Sequence, residues 1–419
     1  MRAMTYATVF VAAAGYLVIW VASKALPAAG YEDFMVYWSL FFALAGVLDG
    51  LMQETARAVT TRCSLGATPP SSPTSRHARP AAVPFSLSAL LALMVGLVTL
   101  VSAPLWIEQI VPTQPGWGLG LLALGLASYT FQAVLCGLLS AASAWRSFAW
   151  LIAIDSGVRL ALATAAWWMG WGVVAFLLVT ALGAATWLVI LAASPQARAL
   201  LSDVADVGTR QFVSRAGRAM VASGANAVLI TGFSVLLRYT SGPEVGPGEL
   251  AATITAVTLT RAPILVPLQR FQPALIVHFT KNRSTVLRAA ALPMAVVAGV
   301  AVIGGVAAYF VAAPLMGLFF DAELISSPAT LGWLTLASGS TALLMITGSA
   351  ALAAERHNLY TAGWLLATAV TIGLLLGGGT PDMRAITALG IGPLVGAAFQ
   401  LAMLRVAAGS RGVTVAGRG

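Results

Sequence analysis

Most of the arginines sit in alternate loops between long apolar runs, and that alternation restricts the chain to one kind of architecture. One set of loops holds Arg2; Arg57, Arg62, Arg76 and Arg79; Arg146; Arg198, Arg210, Arg215 and Arg218; Lys281, Arg283 and Arg288; Arg356; and Arg405, Arg411 and Arg418. The intervening loops hold mostly acid: Glu32 and Asp33, Glu108, Glu244 and Glu249, Asp321 and Glu323, and Asp382. Basic segments stay on the cytoplasmic side of a membrane. The chain is therefore expected to cross a membrane many times, with both termini in the cytoplasm.

Composition excludes a soluble domain. Of 419 residues, 59% are hydrophobic and 9% charged, and mean hydropathy is +0.89, whereas soluble domains are about 25% charged. A span needs ~20 apolar residues, and backbone groups in hydrocarbon must pair within their own segment, so the spans are helices. Twelve fit, at 6–27, 33–56, 85–107, 117–142, 147–169, 172–193, 217–238, 248–277, 289–319, 330–353, 358–378 and 385–407. The first is expected to be a membrane helix, because its apolar run exceeds the core of a signal peptide. The net charge of +9 lies mostly in the basic loops. It reads as orientation and attraction to anionic membrane lipid, with no nucleic-acid partner. Lys24 and Lys281 are the only lysines among 23 basic residues, a bias expected of a GC-rich bacterial genome. Cys63 and Cys136 fall in a cytoplasmic loop and an apolar run, so no disulfide is expected. His77, His278 and His357 are scattered, which leaves no metal or cofactor site to propose.

Two loops organise the chain. Residues 60–84 include "TPPSSPTSRHARP", a basic, Pro/Ser-rich stretch expected to be disordered. Residues 194–216 divide the spans six and six, and their spacing predicts an amphipathic cytoplasmic helix lying along the membrane. The expected organisation is an N-terminal six-helix bundle over 1–193, a linker over 194–216 and a C-terminal six-helix bundle over 217–419. The halves resemble each other. "CGLLSAASAWRSFAW" from Cys136 joins spans 4 and 5, and "TGSAALAAERHNLYTAGW" from Thr347 joins spans 10 and 11. Span 2 opens with "YEDF" and span 8 with "GEL". Parallel repeats imply a symmetry axis along the membrane normal, an arrangement transporters use to place substrate between halves.

Ionisable groups inside a span cost at least ~2.5 kcal/mol each, so each needs a reason. Span 8 carries Arg261 near mid-membrane and Arg270 nearer the cytoplasmic end. Pro263, Pro267 and Pro273 are expected to interrupt its hydrogen-bond ladder, and Thr253, Thr255, Thr258 and Thr260 precede Arg261. The combination suggests a wet cavity; the alternative for Arg261 is a buried ion pair that holds bundles together. Span 2 carries Asp49, Gln53 and Arg57 on one face, with Glu54 a turn from Arg57. This is either functional or an interfacial ion-pair cluster. Asp155 and Arg159 on span 5 read as a mutually neutralising pair. Lys24 and Arg238, near the outer ends of spans 1 and 7, either snorkel singly or add positive potential to the mouth of a shared cavity. The net intramembrane charge is positive. Arginine's planar, permanently charged fork suits phosphate, so the favoured cargo is an anion with a large lipid-compatible part.

The segment "ASKALPAAGYEDFMVYWSLFFALAGVLDGLMQETARAV" resembles the helix 1–2 signature of polysaccharide flippases of the multidrug/oligosaccharidyl-lipid/polysaccharide (MOP) exporter superfamily. Gly30, Tyr31, Glu32, Asp33, Phe34, Gly50 and Arg57 hold the characteristic places. "GLLSAASAWRSFAW" resembles the family's turn after helix 4. The resemblance implies an all-α polytopic protein of about twelve transmembrane helices, in two pseudo-symmetric bundles forming a V that alternates access. It implies flipping of a polyprenyl-phosphate- or pyrophosphate-linked sugar to the outer leaflet for envelope polysaccharide assembly, across a bacterial inner membrane. Arg261 fits the cationic cavity of the lipid-flipping branch. The peptidoglycan-precursor branch has two further helices, and the drug-export branch has a buried acid on helix 1 where this chain has Lys24.

Two other functions compete. A cation-coupled drug or metabolite antiporter needs an ion-binding carboxylate, for which Asp49 and Asp155 are the mid-span candidates. A membrane glycosyltransferase is suggested by Glu32-Asp33 in the first outer loop, but the outer loops are too short to build an acceptor site. The chain is accordingly read as a transporter rather than an enzyme, with no catalytic residues. It is expected to act as a monomer alongside envelope glycosyltransferases or a polymerase.

Overall fold

The structure is a computed structural model that describes residues 2–66, 81–242, 245, 246 and 248–416. Arg76, Arg79, Glu244 and Arg418, and most of the expected 60–84 loop, lie outside the described residues. The chain forms two compact units, Met1–Val235 and Leu236–Gly419. The first holds α1 (Arg2–Ala25), α2 (Ala28–Gly66), α3 (Pro84–Ser102), the short α4 (Ile107–Ile110), α5 (Pro115–Ala141), α6 (Trp145–Trp168), α7 (Val173–Gly183), α8 (Trp187–Ala193), the short α9 (Pro195–Ala199) and α10 (Thr209–Ile230). α11 (Phe233–Thr240) straddles the boundary. The second unit holds α12 (Ala251–Lys281), α13 (Val286–Gly317), α14 (Pro328–Ala353), α15 (His357–Leu375) and α16 (Pro381–Ala416).

Among the described residues ten helices are long and apolar enough to cross a membrane, and the bent pairs α7–α8 and α10–α11 bring the number to twelve when each is taken as one span. Each of the twelve expected spans thus has a helical counterpart, but the sixth and seventh are bent pairs rather than straight helices. α7 and α8 meet at 45° and α10 and α11 at 68°. Each break frees backbone groups that lipid cannot satisfy, and neighbouring side chains supply partners. At the first, Ser128 donates to the Ala184 carbonyl (2.9 Å) and accepts from the Trp187 indole (3.0 Å). At the second, the Ser39 hydroxyl donates to the Thr231 carbonyl.

Small residues set the helix spacing. A Cβ on Gly46 would lie 2.6 Å from that of Ala227, and one on Gly50 would overlap the Ala219–Met220 backbone, so α2 and α10 touch along their main chains. In the second unit α14 is the hub, packed by α12, α13, α15 and α16, with 83% of its apolar stretch buried. Gly332 of α14 faces Gly305 of α13, where an added Cβ would sit 3.0 Å from the opposing carbonyl.

The repeat is visible in burial. The buried share is 61%, 17%, 61% and 28% for α2, α3, α5 and α6, and 56%, 11%, 83% and 39% for α12, α13, α14 and α15. α3 and α13 are thus the most exposed helices of the two sets, whereas α5, equally with α2, and α14 are the most buried. The turn after the fourth span is also duplicated. Ser143 and Glu355 both take positive φ, 55° and 60°. The following N–H closes the same wide loop each time, Ala144 to the Leu139 carbonyl (2.8 Å) and Arg356 to the Ala351 carbonyl (2.9 Å).

The linker differs from the single helix expected over 194–216. It is one turn of α9, a 3-10 turn over Leu200–Ser202, an extended stretch, and then α10 from Thr209. The extended stretch has better partners than a helix would provide. Ala82 donates to the Val207 carbonyl (2.9 Å) and accepts from Ala205 (2.8 Å), and Asp206 N–H donates to the Ala58 carbonyl (3.1 Å). Ala205, Phe212 and Ala216 join Leu51, Ala58, Val134 and Leu138 in one apolar cluster. The basic, amphipathic part of the linker sequence is thereby the opening of α10. Because α10 packs on α2, the compact division falls after Val235 rather than at the linker. α2 also runs on to Gly66, so the first residues of the expected 60–84 loop are helical.

Candidate functional site

The polar stripe expected on α2 has three different sets of contacts. Asp49 accepts from the Tyr129 hydroxyl of α5 (2.9 Å), and Gln53 donates to Ser223 of α10 (3.2 Å). Arg57 is clamped by two carboxylates. Its Nε and Nη2 bind Glu54 at 2.8 and 2.6 Å, and both Nη atoms lie 3.2 Å from Asp206, which also pairs with Arg215 at 3.5 Å. Arg57, Glu54 and Asp206 thus form one ion-pair cluster. It also explains the extended linker, because Asp206 must leave the helical path to reach Arg57.

The second site is the pair on α6. Arg159 Nη1 binds Asp155 Oδ2 at 2.8 Å, and Nε donates to the Thr180 carbonyl of α7 (3.3 Å). The guanidinium lies 4.9, 5.6 and 5.9 Å from the ring centres of Phe42, Phe41 and Trp38. Gly183 makes room for it, since a Cβ there would overlap Nε and lie 2.5 Å from Cζ. A buried cation held by a carboxylate, a carbonyl and aromatic faces, its Nη2 left without a hydrogen-bond partner, ties α6, α7 and α2 together. No sequence signal singled out Gly183 or the three rings.

Arg261 is only 6% exposed, ten residues on from Ala251 and so mid-way along the apolar stretch Ala251–Gln269. α12 is one uninterrupted helix despite its prolines, which corrects the expectation of a broken span. Each proline still removes one N–H donor from the ladder. The threonines are satisfied locally. Thr255, Thr258 and Thr260 donate to carbonyls one turn back at 2.6–2.8 Å, and Thr253 donates to Asp382. Arg270 follows the last residue of the apolar stretch, and its side chain lies outside the described residues.

Lys24 and Arg238 are half-buried in the last turns of α1 and α11, where a cation favours the helix dipole. Arg384 is a cation that the sequence reading left unassigned, although it breaks the rule that its loop set is acidic. It is buried, and it donates to the Leu375 carbonyl (2.7 Å) and the Thr240 carbonyl (2.8 Å), capping α15 and α11. Two residues away, Asp382 also accepts from Thr330 of α14 (2.8 Å). The start of α16 thus ties together the acid-rich end of the second unit.

No protein-family model matches the chain. An uncharacterized protein of Mycobacterium bovis is 37% identical over 402 residues, 95% of this chain and 90% of the relative. An uncharacterized protein of Mycobacterium tuberculosis is 37% identical over 398 residues, again 95% and 90%. Among solved structures, an inward-facing multidrug resistance MATE family transporter of the MOP superfamily aligns with TM-score 0.74 at 16% identity, over 94% of each chain. A MOP superfamily transporter from Pyrococcus furiosus, whose binding pocket of reverse polarity is described as suggesting a different function, aligns with TM-score 0.67 at 15% identity over 98% of this chain and 95% of its own. The chain belongs to one family with these mycobacterial proteins, and its fold is that of the MATE transporters of the MOP superfamily.

Proposed function

We propose that the chain is a transporter that flips a polyprenyl-phosphate- or pyrophosphate-linked sugar, or a related anionic glycolipid, from the inner to the outer leaflet. The observation that carries this reading is Arg261, a cation buried mid-way along the apolar stretch of α12. Such a cation is costly in hydrocarbon and suits a phosphate that passes through. The MOP-type fold supports a transporter rather than an enzyme. Arg57 contributes less than the sequence suggested, because Glu54 and Asp206 neutralise it. The setting is a bacterial inner membrane with both termini cytoplasmic, and the protein acts as a monomer beside envelope glycosyltransferases or a polymerase.

A cation-coupled drug or metabolite antiporter is the second reading. The multidrug transporters among the structural neighbours favour it, as does Asp49, a carboxylate inside α2 held by a neutral hydroxyl. The two separate in proteoliposomes containing a fluorescent polyprenyl-pyrophosphate sugar. Protein-dependent movement between leaflets, without an imposed cation gradient and without export of cationic dyes, supports the flippase. Gradient-dependent dye export with no lipid movement supports the antiporter.

A further inference from the structure

The starts of α1 and α6 lie side by side and leave a half-open cleft of about 550 Å³ on the outer face of the first unit. Ala7 and Ala149 are buried and form its floor. Tyr6, Phe10 and Trp150 are 74%, 43% and 57% exposed and form its walls. Small residues opposite large rings leave a trough rather than a packed seam. The volume falls within the ~300–1,000 Å³ typical of small-molecule sites. Apart from the Tyr6 hydroxyl, the lining is hydrocarbon and ring, with one exception: Arg146, exposed at the second position of α6.

The placement of that exception identifies the occupant. Arg146 belongs to the basic set of loops, so its end of the cleft is expected at the cytoplasmic headgroup level. From Arg146 to Ile154 the cleft follows α6 for about 12 Å towards the hydrocarbon, at 1.5 Å per residue. Among the described residues one cation lines the cleft, at the interface; with the aromatics beside it and the apolar trough beneath, it matches a molecule with an anionic head and a hydrocarbon tail. Water would leave the trough unfilled, and a zwitterionic lipid offers a phosphate whose charge its own ammonium group offsets, so a net anionic headgroup is the better counterpart of the cation.

We propose that this cleft binds an anionic phospholipid of the cytoplasmic leaflet, one acyl chain between α1 and α6 and its phosphate on Arg146. The site is independent of the cargo, so it stands or falls separately from the flippase reading.

The test is photo-crosslinking of the full-length protein in nanodiscs with phosphatidylglycerol carrying a diazirine midway along one acyl chain, and with the phosphatidylcholine counterpart. The expected label concentrates on the peptides containing Tyr6–Phe10 and Ala149–Ile154. It is about fivefold stronger for phosphatidylglycerol, as one interfacial arginine implies. Arg146→Gln, at an exposed position, removes the headgroup preference. Ala153→Phe, which fills the trough, removes label from both segments. Equal labelling by the two headgroups would overturn the proposal, as would label spread evenly over the lipid-facing α3 and α13. Displacement by polyprenyl phosphate but not by unlabelled phosphatidylglycerol would also overturn it, reassigning the cleft to the cargo's tail.

Discussion

Gly183→Ala is expected to be among the most damaging single-methyl additions in the first unit. The new Cβ would overlap Arg159 Nε and lie 2.5 Å from Cζ and 2.8 Å from Cγ. Arg159 has nowhere to retreat, since it is 3% exposed, bound to Asp155 at 2.8 Å and covered by Phe42 at 4.9 Å. Either α7 moves outward, an overpacking cost of ~1–3 kcal/mol, or the guanidinium leaves Asp155, and a broken buried pair costs ~3–5 kcal/mol. The cheaper route predicts a loss of about 2 kcal/mol. The effect should depend on the arginine. Replacing the pair with apolar residues, Asp155→Leu with Arg159→Met, is expected to be near neutral. In that background Gly183→Ala should cost under about 1 kcal/mol, because the methionine side chain can repack. Equilibrium unfolding in mixed micelles, followed by helical circular dichroism, measures all four corners of the cycle. Equal cost in both backgrounds would refute the idea that Gly183 exists to seat Arg159.

Three further outcomes are expected. Asp206→Asn should lower stability by only about 1 kcal/mol, because the Arg57 side chain is 40% exposed and screened, and should reduce the dependence of stability on salt, read by the same unfolding assay. Asp49→Asn should leave lipid flipping near normal, since the amide oxygen still accepts from Tyr129; abolished transport together with lost cation dependence would instead favour the antiporter. Cysteines placed near Ser72 and near Gly242 should react with impermeant reagents from opposite sides of intact cells, and labelling of both from outside would contradict the topology read from the arginine loops.

The spans were legible because hydrocarbon allows one backbone solution, and because arginine loops mark where each run ends. The turns at Ser143 and Glu355 were legible as a repeat because the residues around them recur, although their shared positive φ was not. Broken spans were read in the wrong place. Three prolines in α12 suggested interruption, yet that helix is continuous. The breaks lie at Ala184–Thr186 and Thr231–Gly232, where Ser128 and Ser39 from other helices satisfy the freed carbonyls. Their signal is tertiary, so no local pattern reveals it. The linker misled for a related reason. Its apolar spacing suits a helix, but pairing with Ala82 and the pull of Arg57 on Asp206 outweigh local propensity. Among the site residues, the partner of Asp155 was readable from spacing, whereas the aromatic faces on Arg159 and the carbonyl capping by Arg384 were not.

The central claim is that Arg261 holds the phosphate of a lipid-linked sugar, and flipping by Arg261 variants tests it most directly. The measurement is the rate at which a fluorescent polyprenyl-pyrophosphate sugar changes leaflets in proteoliposomes, normalised to folded, reconstituted protein. Losing a charge-assisted hydrogen bond, worth ~1.5–3 kcal/mol, predicts a rate at least about tenfold lower for Arg261→Ala at normal folded yield. Arg261→Lys should retain part of the rate, because lysine keeps the charge without the bidentate fork. Undiminished flipping by Arg261→Ala would contradict the account, and failure of that variant to fold would place Arg261 in the scaffold instead.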